Sequence, residues 1–419
     1  MHPQANRKTL AEWLAFQEQS HTSVIDLGLT RVRWVAERLQ LLQPSATTII
    51  VAGTNGKGSS TAMLSHVYTL AGYRTGWYSS PHLLNYNERI RINDVPVSDA
   101  LLIDAFEAIA DVLESTTLSY FEWATLAALW LFQRQSCDVQ ILEVGLGGRL
   151  DATNVVDADA ALITAIDLDH ADWLGTTREQ VAREKAGVLR SNQLAVCSDV
   201  NPPQTLVEVA TLLSCPICYA GRDFHWQQSG EAQWLWQQGD KQRMLPALGL
   251  QGTFQYQNAA GVVAVVEGLQ SRLPVNQSVL AQGLTATRLL GRMDCREKSG
   301  VRWCVDVAHN PQSIQALAEY WHQQHIKPVL LFSALADKDI KAMVTVLSPY
   351  VVEWHVAPLH HPRGASDAQL REALALIDVP IYWYEDIPAA CASLAQQASA
   401  PIWACGSFVT VEQVLRWLS

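Results

Sequence analysis

Thr47-Thr48-Ile49-Ile50-Val51-Ala52-Gly53-Thr54-Asn55-Gly56-Lys57-Gly58-Ser59 is the stretch that decides the fold. Its first six residues, Thr47–Ala52, are apolar or β-branched and read as a buried strand. The next seven are glycine-rich, and a helix follows from Ser59 to Ala71, stopped by Gly72. Glycines at a strand–helix turn let backbone N–H groups converge on a phosphate, and the helix N-terminus adds favourable charge. Lys57 supplies a cation for the outer phosphates and Ser59 a hydroxyl for Mg²⁺. The spelling departs from the usual phosphate loop. Only Thr54 and Asn55 separate Gly53 from Gly56, and Gly58 precedes the hydroxyl residue. A glycine-rich turn with no ligand is the plain alternative; Lys57 and Ser59 falling in place count against it.

Outward from this stretch the chain alternates strands and helices. Tyr73–Tyr78, Val139–Val144 and Ala160–Ile166 read as strands, and Phe121–Arg134 and Thr177–Leu189 as helices. Thr177 with Gln180 spells a capping box. This rhythm predicts an α/β fold with a mostly parallel sheet and helices on both faces. Residues 191–248 are expected to be a small antiparallel insertion, and Tyr256–Leu269 a helix. A second α/β rhythm begins near Val301, with strands at Val301–Val307, Pro328–Ser333, Val352–Ala357, Ile381–Tyr384 and Ile402–Cys405. The expected organisation is therefore a phosphate-loop domain over 1–287, a hinge linker over 288–298 and a Rossmann-like α/β domain over 299–419.

Composition narrows the class. In 419 residues, 17% are charged and 49% hydrophobic, which excludes a disordered chain. No apolar run reaches the roughly 18 residues that span a bilayer. Met1–Leu10 is polar, without a secretory apolar core, so a cytoplasmic protein is expected. The net charge of −11 argues against nucleic acid as a partner. The eight cysteines are scattered and are expected to be free thiols. Cys215 and Cys218 have no second pair and read as packing residues, and His360-His361 as loop.

Several polar residues fall where strands end. Glu143 closes its strand, ahead of Gly145-Leu146-Gly147-Gly148-Arg149-Leu150-Asp151-Ala152-Thr153-Asn154. A carboxylate at the carboxyl edge of a parallel strand faces the ligand crevice and suits a metal. His170 follows the next strand; alone it reads as structural, but beside Glu143 and Ser59 it reads as a second metal site. Lys185, near a helix end, is by itself a solvated lysine. Asp306 and His309 end a strand of the second domain, where Asn310 can cap and Pro311 begin a helix. Gly406-Ser407-Phe408 has the same placement.

These motifs together resemble the folylpolyglutamate synthase family of Mur-ligase-like, ATP-dependent amide ligases, and within it the bifunctional bacterial kind that also makes dihydrofolate. The resemblance rests on GTNGKGS (Gly53–Ser59), SSPHL (Ser79–Leu83), NERIRIN (Asn87–Asn93), LEVGLGGRLDATN (Leu142–Asn154), LDHADWLG (Leu168–Gly175), EKAG and DVAHNP. It implies that Gly53, Thr54, Asn55, Gly56, Lys57, Gly58 and Ser59 hold ATP, with Asn258 by the adenine, Arg292 at the phosphates and Asp306 and His309 at the nucleotide. It implies Mg²⁺ on Ser59, Glu143 and His170, with Lys185 as a carbamate ligand, and a monovalent cation such as K⁺ as a further candidate. Lys57, Lys185, Asp306 and His309 would serve catalysis. Ser80, Pro81 and His82 would line the substrate crevice, and Phe121, Asp151 and Ala152 the pteridine site. Two departures are visible. Leu290 stands where the family has a hinge proline, and Ser119 where it has a threonine.

The implied reaction joins L-glutamate to dihydropteroate and to the γ-carboxylate of reduced folates through an acyl phosphate, by a monomer with no membrane partner. A synthase restricted to folates, a Mur ligase for another carboxylate, and a phosphate-loop kinase or switch are the rivals. Two acceptors of different length imply two pteridine placements, and on that basis loss of Asp151 should hurt dihydropteroate use more.

Overall fold

The computed structural model describes residues 8–419 apart from 22, 24, 25, 299 and 398–400. The chain divides into two compact units. The first takes residues up to His82, Tyr86–Leu248 and Gln257–Thr287; the second takes Leu83–Asn85, Gly249–Tyr256 and Arg288–Ser419.

The first unit opens with α1 (Leu10–Ser20) and α2 (Thr30–Arg38), then β1 (Thr47–Ala52), α3 (Lys57–Leu70), β2 (Thr75–Tyr78), β3 (Ile90–Ile92), β4 (Val95–Pro96), α4 (Asp99–Leu113) and α5 (Tyr120–Arg134). It continues through β5 (Val139–Glu143), β6 (Ala160–Ile163), α6 (Ala171–Leu174), α7 (Arg178–Ala186), β7 (Leu194–Cys197), α8 (Gln204–Leu212) and β8 (Ile217–Tyr219). Eight strands form one sheet in the order β4-β3-β2-β5-β1-β6-β7-β8. All neighbours are parallel except the β2–β3 and β3–β4 pairs. Strand β1 lies in the middle; the chain leaves it for β2 on one side, and after β5 it crosses β1 to build β6, β7 and β8 on the other. That reversal opens a crevice at the carboxyl ends of β5, β1 and β6.

Local chemistry explains the helices. Ser119 and Glu122 cap α5 reciprocally, with the Ser119 hydroxyl accepting from the Glu122 N–H and the Glu122 carboxylate from the Ser119 N–H at 2.7 Å. Helix α5 is buried nearly all round and packs Trp123 against Trp13 and Phe106. Each such side chain contributes about 1.5–3 kcal/mol of burial. Thr177 and Gln180 form the capping box expected at α7.

Residues 191–248 differ from expectation. Strands β7 and β8, with α8 between them, extend the parallel sheet. Only β9 (Phe224–Ser229), β10 (Gln233–Gln238) and β11 (Lys241–Pro246) make the antiparallel insertion. Strands as short as Leu194–Cys197 carry too little periodicity to be told from an irregular loop. Helices α9 (Phe254–Gly268) and α10 (Gln277–Ala286) follow.

The second unit comprises β12 (Asp294–Lys298), β13 (Val301–Val305), α11 (Pro311–Gln323), β14 (Val329–Phe332), α12 (Ile340–Leu347), β15 (Glu353–Val356), α13 (Asp367–Leu374), β16 (Ile381–Trp383), α14 (Ile387–Gln397), β17 (Ile402–Cys405) and α15 (Phe408–Leu418). Its sheet runs β12-β13-β17-β14-β15-β16, parallel except for β12. Two expectations are corrected here. Residues 294–298, read as linker, form the edge strand β12, an alternation of charged residues that looks like loop because an edge strand needs only one buried face. Cys295 and Cys304, read as free thiols, face one another across β12 and β13 and are joined as a disulfide. Scattered positions hid a pairing that only the hairpin register creates. The other six cysteines are free. No helix among the described residues is long and apolar enough to cross a membrane.

Candidate active site

The loop after β1 is stitched to the segment after β6. The Thr54 N–H donates to the Ala165 carbonyl at 2.7 Å, the Thr54 hydroxyl to the Asp167 carbonyl at 2.8 Å, and the Asp167 N–H back to that hydroxyl. Asn55 bridges to Ala165. Gly56 has φ +92°, and a Cβ there would overlap the Asn258 amide, so Asn258 packs directly on the loop. A Cβ at Gly53 would overlap the Thr164 hydroxyl. Helix α3 starts at Lys57 rather than Ser59, which puts Lys57, Gly58 and the buried Ser59 in its first turn, the turn whose N–H groups are not used within a helix.

The Lys57 ammonium donates to the carbonyls of Gly53 and Thr54 at 2.9 and 3.0 Å. Lys185 is not solvated. It is 3% exposed and donates to the Gly53 carbonyl at 2.8 Å. Burial, reinforced by the charge of Lys57, holds the Lys185 amine well below the ordinary lysine range, against the opposing pull of Asp169 and Asp151.

The loop Gly145–Asn154 explains how a helix end comes so deep. Gly148 lies so close to the Glu184 and Lys185 carbonyls that a Cβ would sit 2.8 and 3.1 Å from them. The Arg149 N–H donates to the Glu184 carbonyl, and the Asn154 amide to the carbonyls of Arg149 and Gly187. The loop thus clasps the end of α7 and turns Lys185 toward β1. Asn154 is itself held by Arg190 at 2.9 Å. Asn154 stood inside a quoted motif without a role and Arg190 went unnoticed; the polar Asn154 closing a glycine-rich run was the available signal.

Asp151 is buried and caps the turn Ala152–Val155. Its Oδ1 accepts from the Thr153 N–H at 3.0 Å and hydroxyl at 2.6 Å, and its Oδ2 from the Leu146 N–H at 2.8 Å. Burial raises its carboxyl above the usual range, partly countered by these bonds. Asp151 therefore braces its own loop, with Ala152 buried beside it. Phe121 shares this place: a Cβ on Gly145 would sit 2.6 Å from its ring, and Tyr78 lies 5.9 Å from it.

Glu143 is buried at the end of β5, level with Val51 of β1. His170 is half-buried, in the left-handed conformation at φ 53°, and starts α6; its N–H donates to Asp169. Among the described residues no three His, Cys, Asp or Glu side chains gather as a metal cage. A hard divalent ion that keeps its waters and takes one carboxylate plus substrate phosphates needs no such cage, so Glu143, Ser59 and His170 fit Mg²⁺ in kind. The Ser80–Pro81 peptide is cis, and His82 Nδ1 accepts from Arg89 Nε at 2.8 Å.

In the second unit Asp306 and His309 follow β13, beside the end of β17. Asp306 turns toward backbone, accepting from the N–H groups of Met293 and Ala308 at 2.9 and 2.8 Å. Burial raises its carboxyl, and Arg292 opposes the rise. His309 Nδ1 donates to the Val307 carbonyl at 2.8 Å. The Phe408 ring lies 5.6 Å from His309 and 5.4 Å from the Arg292 guanidinium.

Two family models match the chain: the Mur ligase middle domain over residues 51–266 and the Mur ligase, glutamate ligase domain over residues 291–406. Fold and loops thus define a Mur ligase. More narrowly, the chain belongs to the dihydrofolate synthase/folylpolyglutamate synthase family. The Escherichia coli (strain K12) protein of that name is 38% identical over 419 residues, spanning 99% of this chain and 96% of the relative. The Haemophilus influenzae protein is 41% identical over 386 residues, or 87% of this chain and 86% of the relative. The structure of E. coli FolC in complex with DHPP and ADP superposes with a TM-score of 0.92 at 37% identity, covering 99% of this chain and 98% of that one. The Yersinia pestis bifunctional enzyme complexed with AMPPNP and Mn ion gives 0.90 at 41% identity, over 99% of both chains.

Proposed function

We propose that this protein is an ATP-dependent ligase that joins L-glutamate to dihydropteroate, forming dihydrofolate, and to the γ-carboxylate of reduced folates, acting in the cytoplasm. The observation that carries the reading is the convergence of the Gly53–Ser59 loop, Glu143 and Lys185 at the carboxyl ends of adjacent strands.

A carboxylate does not acylate an amine unaided, because its oxygen is a poor leaving group. ATP transfers its γ-phosphoryl group to that oxygen. The glutamate amine then attacks the acyl phosphate, and phosphate leaves. Lys57 neutralises the transferring group, and the N–H groups of the first turn of α3 orient the phosphates. Bound Mg²⁺ would supply Lewis-acid neutralisation of the phosphates, held by Ser59, Glu143, His170 and Lys185 as its carbamate. The depressed Lys185 amine supports that last role, since only a neutral amine adds CO₂. Asn258 beside Gly56 is our candidate for the adenine end, and Arg292, Asp306 and His309 for further nucleotide contacts. Phe121, Ala152 and the Ser80–His82 segment are candidates for the acceptor, with Asp151 bracing the loop beside them.

The deciding experiment is ADP release by purified protein. The reading requires release that depends on L-glutamate together with dihydropteroate or a reduced folate. Release without an acceptor, or none with either acceptor, overturns it.

A further inference from the structure

Arg89 is an unused cation in the first unit. It ends the short turn Tyr86–Arg89, just before β3, and is only 8% exposed. Its Nε donates to His82 Nδ1 at 2.8 Å. Its guanidinium lies 5.5 Å from the Tyr86 ring centre and 5.4 Å from that of Tyr120. Among the described residues no carboxylate pairs with it, and Nη1 and Nη2 have no hydrogen-bond partner, yet they are not sealed from solvent. A guanidinium is rarely buried without an acid, because desolvating it costs more than two aromatic faces return. A charged fork left open in this way is suited to a carboxylate from outside the chain.

Its surroundings say which one. The Arg89 Nε fixes His82 of the Ser80–His82 segment, and Tyr120 directly precedes Phe121. The buried Tyr78 hydroxyl lies within electrostatic range of Arg89, Asp151 and Glu143 alike. Arg89 therefore stands on the acceptor side of the site proposed above. A folate acceptor carries two carboxylates on its terminal glutamate, α and γ, and only γ is to be activated. Dihydropteroate carries a single carboxylate, which must go to the phosphoryl group.

We infer that Arg89 holds the non-reacting α-carboxylate of the folate's terminal glutamate and so presents the γ-carboxylate for activation. The inference rests on the acceptor reading above. Arg89 is then a specificity residue for chain extension and is idle in the first glutamate addition.

The test compares the parent with Arg89→Gln and Arg89→Lys, using dihydropteroate, a reduced folate monoglutamate and the α-carboxamide analogue of that folate. Losing a charge-assisted fork should raise KM for the folate by roughly tenfold or more in Arg89→Gln, with KM for dihydropteroate and ATP within about twofold. Arg89→Lys, which keeps charge but not the fork, should fall between. The parent should use the α-carboxamide as poorly as Arg89→Gln uses the normal folate. Equal losses with both acceptors, or an unchanged KM for the folate, would overturn the role. If neither variant folds, the parent alone decides: equal use of the carboxylate and the carboxamide overturns the inference. A parent that turns over neither acceptor overturns the activity itself and the inference with it, whereas turnover of dihydropteroate with indifference at Arg89 removes only the inference.

Discussion

Lys57 and Lys185 donate to one oxygen atom. The Gly53 carbonyl accepts the ammonium of Lys57 at 2.9 Å and that of Lys185 at 2.8 Å. Burial lowers the affinity of Lys185 for its proton, and repulsion by Lys57 on the shared acceptor lowers it further. The pair makes sense if an anion is expected at one lysine and a chemical change at the other.

For Lys57 the anion we propose is the triphosphate of ATP. Lys57→Ala should fold normally, because the side chain is half-exposed and its bonds are to loop carbonyls. Turnover should fall by roughly a hundredfold or more, as expected for loss of a phosphoryl-stabilising donor. Unchanged kcat in a protein with a normal melting curve would remove Lys57 from the chemistry.

For Lys185 the change we propose is carbamylation. Lys185→Ala should lose activity and lose sensitivity to added bicarbonate, and a short carboxylate in its place should recover part of the rate. Stability gives an independent sign. The folded amine binds its proton more weakly than the ordinary lysine value of 10.5, so between the two values the unfolded chain holds more protons. Stability conferred by Lys185 should therefore rise with pH toward that value. Denaturant titrations of the parent and Lys185→Met at pH 7 and 9 test this; parallel pH dependences would place the lysine in water.

Gly56 tests the loop itself. Gly56→Ala meets both a positive φ of 92° and the Asn258 amide. Backbone strain alone costs about 1–3 kcal/mol. ATP affinity should drop measurably by calorimetry while the fold survives. Pairing the change with Asn258→Ala relieves the clash but not the strain, so full recovery of thermal stability in the double variant would show that crowding, not conformation, was responsible.

Asp151 should now fail differently from what its sequence position implies. Its acceptor sites are filled from within its own loop, so Asp151→Ala strands buried N–H groups and costs about 1–3 kcal/mol each. Activity should fall with dihydropteroate and reduced folates alike. A selective loss with dihydropteroate would return Asp151 to direct pteridine contact. Because burial raises its folded pKa, the folded state holds more protons above pH 3.8. Its contribution to stability should decline as pH climbs through that window, and Asp151→Asn should flatten the decline.

Much of this was legible in the residues. Strand Thr47–Ala52 coincides with its expected span because β-branched runs end sharply at glycine. The placement of Glu143 at a strand end followed from the same alternation, whereas the strand before His170 ends at Ile163 rather than Ile166. Lys185 was not legible: its helix shows an ordinary charged surface, and only the clasp of Gly148 and Asn154 on the end of α7 buries it. The Cys295–Cys304 pair and strand β12 depended on register, which two separate segments acquire only by meeting. Arg89 sat inside a quoted motif without a role, since a missing partner cannot be seen in one dimension.

The strand order has one more consequence. The loops bearing Lys57, Glu143 and His170 leave β1 and its two neighbours, β5 and β6, the most interior ladders of the sheet, whereas β3 and β4 form its margin. Amide protons of Ile49, Ile141 and Leu162 should exchange with deuterium only on global unfolding, while those of Arg91 and Ile92 exchange through local fraying. On that pattern the flank that carries Arg89 would open locally while the loops bearing Lys57, Glu143 and His170 keep their spacing.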